Sequence, residues 1–207
     1  MPILHYFVDP MCSWCYGFSQ EMQPIIDKLP DNIALRYVMG GLAPDSDEPM
    51  PEEMRRYVQQ AWHTVAEKTG ASFNFDFWTK CRPKRSTYPS CRAVIAAGLQ
   101  GQENLPLMLA AIQTAYYQQA RNPSENETLI EIAAEIGLDR DRFAEELDST
   151  EVAEHLQAGF SFKDMLGVRG FPTLALEKDD KYYGLAVGYA KADVVLQGLD
   201  MVMNDQI

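Results

Sequence analysis

The most informative stretch of this sequence is Ile3-Leu4-His5-Tyr6-Phe7-Val8-Asp9-Pro10-Met11-Cys12-Ser13-Trp14-Cys15. Its first six residues are apolar, aromatic or branched, which is typical of a buried strand. Apolar residues then recur at helical spacing and predict a helix over residues 14–29. Cys12 and Cys15 therefore lie where a strand passes into the N-terminus of a helix.

This position suits thiol chemistry. The start of a helix has unpaired backbone N–H groups and the positive end of the helix dipole, and both favour a thiolate over a thiol. Two residues separate the cysteines, so one helical turn brings the two sulfurs together. We predict that Cys12, at the helix start, is the nucleophile, and that Cys15 is the resolving thiol.

The bulk composition limits the classes of function. The chain has 207 residues, 46% of them hydrophobic, which is enough for a sizeable core. Its formal net charge of -12 argues against nucleic acid and anionic membranes as partners. The sequence contains no run of 18 apolar residues, so we expect no membrane span. A strand that begins at Ile3 leaves no room for a signal peptide, so we expect a cytoplasmic, reducing location.

A zinc site is the main alternative for the C-x-x-C pair. Structural zinc sites usually need a second close pair of ligands, and Cys81 and Cys91 are too far apart in sequence to supply it. The three histidines, His5, His63 and His155, are scattered. We therefore predict a redox pair and no metal.

The rest of the chain divides into two patterns. Residues 33–39 alternate as a second strand, residues 51–166 have helical periodicity, and strands return over residues 173–176 and 182–187 before a final helix over 191–203. A strand, a crossover helix and a strand predict a right-handed parallel unit. We expect one discontinuous domain, residues 1–43 and 167–207, with residues 44–166 as an inserted helical subdomain.

Several polar residues suggest where the inserted helices begin. Ser90 is expected to cap a helix that runs to Leu99, and Thr150 one that runs towards Leu166. Ser124 and Glu127 have the spacing of a capping box, and Asp139 is expected to cap a short helix.

Two motifs also carry a family resemblance. The string from Phe7 to Phe18 is similar to the DsbA-like superfamily of thioredoxin-fold proteins, and to its FrnE-like branch. A second matching motif lies far downstream, at Gly167-Val168-Arg169-Gly170-Phe171-Pro172-Thr173. The resemblance covers nearly the whole chain. It implies an α/β thioredoxin fold with a large all-helical insertion between strand two and the C-terminal strand-strand-helix half.

The resemblance also implies a substrate site. Pro172 would be a cis-proline that faces the redox cysteines, and the residues beside it and between the cysteines would contact substrate: Ser13, Trp14, Phe171, Pro172 and Thr173. The strongest oxidants of the superfamily carry a histidine between their cysteines. Ser13 and Trp14 supply no cation, so we predict a less stabilised thiolate and a less oxidising disulfide. Asp9, before a proline, is interpreted as a turn residue.

Cys81 and Cys91 flank a basic segment and allow two hypotheses. They could form a second redox pair that exchanges with Cys12 and Cys15, because cationic neighbours activate thiols. They could instead be two partly buried small residues beside a solvated loop, which is the more usual place for free cysteine.

The predicted function is thiol–disulfide oxidoreductase of the reductase or isomerase type, acting on protein or peptide thiols and disulfides. No bound cofactor is expected, and glutathione or a thioredoxin-type reductant would reset the pair. One alternative is a glutathione-dependent isomerase or transferase, resembling 2-hydroxychromene-2-carboxylate isomerase or kappa-class glutathione transferase. These relatives typically have serine where Cys12 stands. A second alternative is a non-catalytic peptide-binding or chaperone module. The sequence leaves the oligomeric state open.

Overall fold

The computed structural model describes residues 1–206. Its centre is a four-stranded mixed sheet in the order β2-β1-β3-β4. The strands are β1 (Ile3–Val8), β2 (Ala34–Met39), β3 (Thr173–Lys178) and β4 (Lys181–Val187). β1 runs parallel to β2 and antiparallel to β3, and β1 and β3 are the two inner strands of the sheet.

Helices α1 and α9 pack against each other, and the other helices form the segment between β2 and β3. The helices are α1 (Ser13–Asp27), α2 (Glu52–Thr69), α3 (Phe77–Lys80), α4 (Tyr88–Leu99), α5 (Asn104–Tyr117), α6 (Asn126–Glu135), α7 (Arg140–Leu147), α8 (Thr150–Met165) and α9 (Ala192–Met203). The predicted fold class, a thioredoxin fold with an all-helical insertion, is confirmed. No helix among residues 1–206 is long and apolar enough to cross a membrane.

The main hydrophobic core extends from the sheet into the inserted helices. It joins buried residues of β1, α1 and β3 to residues of α4, α5, α6 and α7, such as Cys91, Ile112, Leu129 and Phe143. A second cluster, built around Trp62, is mostly aromatic and includes Tyr16 of α1. The division of the chain at residues 43 and 166 stays a prediction, and Ile207 lies outside the described residues.

The structure corrects three of the predicted helix starts. α4 begins before Ser90, whose hydroxyl donates to the carbonyl of Thr87 instead of capping. The Ser124 hydroxyl donates to the carbonyl of Ser86, 2.8 Å away, so the capping box is wrong. α8 is capped by Ser149 rather than Thr150.

One predicted cap is confirmed, and one helix was not expected. Asp139 accepts hydrogen bonds from the backbone N–H groups of Asp141 and Arg142 at the start of α7. The short helix α3 lies in a stretch without clear periodicity. Its four residues are too few to show a helical repeat.

Candidate active site

Cys12 is the residue that precedes the first turn of α1. Its backbone is extended, with φ -83° and ψ 115°, and its N–H donates to the carbonyl of Asp9 at 3.0 Å. The side chain is 7% exposed, whereas Cys15, within the first turn, is fully buried. Both cysteines are free thiols. The structure thus gives the pair the unequal access expected of an attacking and a resolving thiol.

The two thiols also influence each other. Burial raises the pKa of the Cys15 thiol well above its ordinary value, and its hydrogen bond with Cys12 raises it further. Cys15 is therefore a protonated, solvent-shielded thiol until its neighbour reacts. This is the state that a resolving thiol needs, because it does not compete for substrate.

The loop that carries Phe171 and Pro172 comes against Cys12 because of the strand pairing. Thr173 opens β3 and is aligned with Phe7 near the end of β1, so the loop before β3 and the loop after β1 meet at one edge of the sheet. The Phe171–Pro172 peptide bond is cis, and the carbonyl of Phe171 accepts a hydrogen bond from Cys12 Sγ at 3.5 Å. Thr173 is buried, and its hydroxyl donates to the carbonyl of Gly170 at 2.8 Å.

A third loop, after β2, lies beneath Phe171. The N–H of Gly40 donates to the carbonyl of Val8, and a Cβ placed on Gly40 would lie 2.4 Å from the Phe171 ring. Lys163 of α8 donates to the carbonyl of Gly40 at 3.3 Å, and its ammonium lies over the ring of Phe160. The site is therefore formed by three loops that contact one another directly.

Ser13 and Trp14 follow Cys12 in the first turn of α1, and both are half-buried. The ring of Trp14 lies 6.5 Å from that of Tyr189, whose hydroxyl donates to Glu21. Of the five residues predicted to contact substrate, Phe171 bonds to Cys12, and Ser13 and Trp14 follow Cys12 in α1. The binding role of all five stays a prediction.

Asp9 makes more hydrogen bonds than its predicted role as a turn residue requires. It does form the expected turn, because its Oδ1 accepts from the N–H of Met11 at 2.8 Å. It is also fully buried, and its Oδ2 accepts from the N–H of Leu42 and from the hydroxyl of Thr87, at 2.7 and 2.8 Å. Burial raises the pKa of the Asp9 carboxyl, and these donors partly offset the rise. Its position between an apolar strand and an apolar helix was the one available sign of burial.

Cys81 and Cys91 have different surroundings. Cys91 is fully buried in the main core, where its thiol donates to Asp9 Oδ2 at 3.6 Å. Cys81 packs against the aromatic cluster and donates to the carbonyl of Ala120. Burial raises the pKa of both thiols, which works against activation by the basic segment. A second redox pair stays a prediction.

Within residues 1–206, no three His, Cys, Asp or Glu side chains lie close enough together to hold a metal ion.

Comparison with known proteins places this geometry in context. The model of the family described as Thioredoxin matches residues 5–195. The chain is 26% identical, over 173 residues, to the ClpXP adapter protein SpxH of Bacillus subtilis, with 83% of this chain and 56% of that protein aligned. It spans little more than half the length of the curated relatives that it matches.

Solved structures agree over the whole chain. A protein from Nitrosomonas europaea, described as a candidate protein disulfide isomerase, is 29% identical with a TM-score of 0.89, covering 99% of this chain and 98% of that one. The cytosolic disulfide reductase DsbM of Pseudomonas aeruginosa is 29% identical with a TM-score of 0.79, covering 98% of both chains. A 2-hydroxychromene-2-carboxylate isomerase, 18% identical over 99% of this chain and 95% of its own, has a TM-score of 0.63 and shares the fold.

Proposed function

The chain belongs to the thioredoxin family, and to the DsbA-like superfamily within it, and from this membership we propose that it is a disulfide reductase or isomerase of protein and peptide substrates. The observation that carries the proposal is the arrangement of Cys12 and Cys15 at the start of α1. The Cys12 thiol is slightly exposed, at 7%, and contacts the loop of Phe171 and Pro172, whereas Cys15 is fully buried within hydrogen-bond reach of Cys12.

The exchange proceeds in two balanced steps. The thiolate of Cys12 attacks one sulfur of the substrate disulfide, forms a mixed disulfide and releases the other substrate sulfur, which takes up a proton. Cys15 then loses its proton and attacks the sulfur of Cys12. The second substrate sulfur leaves as a thiol, so the substrate gains two electrons and two protons while Cys12 and Cys15 become a disulfide. Glutathione or a thioredoxin-type thiol supplies the electrons that reduce the pair again.

The loop of Phe171 and Pro172 is proposed to hold the substrate backbone beside Cys12. The carbonyl of Phe171 already accepts from the Cys12 thiol, so it faces the place where a substrate sulfur must arrive. Ser13 and Trp14 would border the site from the first turn of α1, and Thr173 would support the loop through its bond to Gly170.

The reducing direction has support from two comparisons. DsbM is described as a cytosolic disulfide reductase, and a second structure of it, 27% identical to this chain, contains glutathione. We propose the same kind of compartment and reductant for this chain. A glutathione-dependent isomerase is less well supported, because that neighbour shares only the fold and because Cys15 supplies a resolving thiol that such a reaction does not use.

A second candidate function is peptide binding without redox chemistry. The similarity to proteins described as ClpXP adapters covers 83% of this chain and favours it. In that case the surface around Trp14 and Phe171 would bind a protein partner, and the thiols would not be required.

The deciding experiment is the reduction potential of Cys12–Cys15, measured by equilibration with glutathione buffers. We expect a value near or below about -250 mV, close to thioredoxin, for a reductase. A value of about -120 to -180 mV would indicate an oxidase or isomerase. If no reversible disulfide forms, the redox proposal fails.

A trapping experiment tests the order of attack. Cys15→Ser should accumulate a mixed disulfide with substrate at Cys12, whereas Cys12→Ser should accumulate none. If the double variant Cys12→Ser, Cys15→Ser still protects an unfolded protein from aggregation as well as the unaltered chain does, the peptide-binding function is favoured.

A further inference from the structure

Tyr117, the last residue of α5, has a buried hydroxyl without a partner. The side chain is fully buried, and within residues 1–206 its hydroxyl makes no hydrogen bond. Buried polar groups are nearly always hydrogen-bonded, because leaving one unpaired destabilises the fold. A hydroxyl that the resting fold does not use calls for an explanation in the chemistry of its surroundings.

The Tyr117 ring packs against the residues that flank the redox pair. It stacks on the ring of Tyr16, with centroids 4.4 Å apart and an interplanar angle of 15°. Tyr16 directly follows Cys15 in the chain, and Met11, which directly precedes Cys12, belongs to the same buried cluster. Packing thus keeps Tyr117 beside both ends of the C-x-x-C segment.

The hydroxyl of Tyr117 is also close enough to respond to the charges of the pair. Burial raises its pKa well above the ordinary value, and negative charge on Tyr116, Cys12, Asp9 and Cys15 raises it further. Of the two redox cysteines, Cys12 has the larger effect. The hydroxyl therefore keeps its proton at neutral pH and remains a hydrogen-bond donor near the attacking sulfur.

Cys12 needs a new hydrogen-bond partner when it ionises. As a thiol it donates to the carbonyl of Phe171 at 3.5 Å, and its sulfur makes no capping hydrogen bond to the backbone of α1. A thiolate has no proton to donate, so this bond is lost and the carbonyl oxygen then faces a negative sulfur. The ionised sulfur has to exchange an acceptor for donors, and the Tyr117 hydroxyl is a donor that no other group occupies.

We propose that the Tyr117 hydroxyl donates a hydrogen bond to the Cys12 thiolate and so raises the fraction of Cys12 that is ready to attack. Within the dithiol–disulfide exchange, on which this proposal rests, the hydroxyl keeps its proton throughout, so both exchange steps stay balanced as written. It stabilises the thiolate before attack. In the mixed disulfide and in the Cys12–Cys15 disulfide the sulfur carries no charge, and the hydroxyl has no thiolate to stabilise.

Tyr117→Phe removes the hydroxyl and keeps the ring. Because the oxygen has no partner in the resting fold, the urea midpoint of the variant should equal or exceed that of the unaltered chain. A clear fall of the midpoint would show that the hydroxyl makes a structural hydrogen bond, and it would overturn the proposal.

The reactivity of Cys12 is then measured by alkylation with iodoacetamide, from about pH 4 to pH 10, and mass spectrometry of the peptide that contains Cys12. At the acid end, loss of the donor should lower the thiolate fraction of Tyr117→Phe by about three- to tenfold. A less stabilised thiolate is more nucleophilic, so the rate should fall by only about two- to fourfold. At the alkaline end, where the thiol is fully ionised, the variant should react as fast or faster. Equal rates at the acid end, or a slower variant at every pH, would overturn the proposal.

Tyr116→Phe is the matched control. Tyr116 precedes Tyr117 in α5 and is also buried, but the charged groups that influence its pKa, after burial itself, are Arg85, Asp9 and Cys81, and neither redox cysteine is among them. Its rates should superimpose on those of the unaltered chain. An equal change in both variants would assign the effect to the packing of α5 and contradict the proposal. Alkylation needs no disulfide, so a chain that forms no reversible disulfide would refute the proposed function, while the rates would still decide on Tyr117.

Discussion

Replacing Gly40 by alanine tests whether the loop of Phe171 and Pro172 must stay against Cys12. A Cβ at this position lies 2.4, 2.5 and 2.7 Å from the Cζ, Cε1 and Cε2 atoms of Phe171. Ordinary contacts begin at 3.4 Å, so the ring must retreat by about 1 Å. Because three atoms of one ring edge are all too close, a turn of the ring about its own axis does not relieve the overlap.

The size of the effect follows from this displacement. A misplacement of about 1 Å near reacting groups can cost about 10²-fold in rate. We expect Gly40→Ala to lower kcat/KM for reduction of a disulfide peptide by about 10- to 100-fold. Overpacking should lower the free energy of unfolding by about 1–3 kcal/mol. Peptide reduction is followed with glutathione as reductant, and unfolding with urea.

A matched control and a double variant separate the ring displacement from other causes. Gly170→Ala lies in the same loop, its Cβ meets nothing within 4 Å, and its activity should stay within about twofold. In a Phe171→Ala background there is no ring to displace, so Gly40→Ala should have little further effect. An equal loss of activity from Gly40→Ala in both backgrounds would refute the reasoning.

Three further predictions concern stability and are measured by chemical unfolding. Gly17→Ala should lower the free energy of unfolding by about 1–3 kcal/mol, because its Cβ would lie 2.7 Å from Val65. Its control, Gly198→Ala in α9, has its nearest contact at 3.5 Å. Because alanine favours a helix over glycine, Gly198→Ala should raise the free energy of unfolding by up to about 1 kcal/mol. Asp139→Ala removes a helix cap and should cost about 0.5–2 kcal/mol; an unchanged value would show that the cap is dispensable. Burial lowers the pKa of His5, so the unfolded chain binds a proton more readily and stability should fall as the pH decreases through about 6.5. His5→Gln should show a smaller fall between about pH 7.5 and 5.5, and an identical fall would contradict this account.

The order of strands and helices was predictable because local patterns determine most of it. β1 was predicted with its observed bounds, and α1 within two residues at either end. The caps were harder to predict, since a polar side chain can bond to a distant partner instead of its own helix. Ser124 shows this, because its hydroxyl bonds to the carbonyl of Ser86, 38 residues away in sequence.

The site could be predicted only where the sequence itself carries a motif. Cys12 and Cys15 follow from local spacing, whereas Phe171 and Pro172, 159 and 160 residues after Cys12, were reached through the family resemblance. Contacts between Asp9 and Thr87, or between Gly40 and Phe171, have no local signature. They depend on how the insertion packs against the sheet, and hydrophobic periodicity specifies a buried face without specifying its partner.

The strand order explains why the inserted helices and the redox pair are connected. β2 is parallel to β1 and β3 is antiparallel to it, so β2 ends and β3 begins at the edge of the sheet where β1 delivers Cys12. The insertion leaves the sheet after β2, at Gly40, and returns before β3, at Phe171, and these two residues are in contact beside the thiol. Lys163, near the end of the insertion, donates to the carbonyl of Gly40, near its start. We therefore expect that a substitution which moves the inserted helices alters the site through both ends of the insertion, while α1 and its cysteines stay in place.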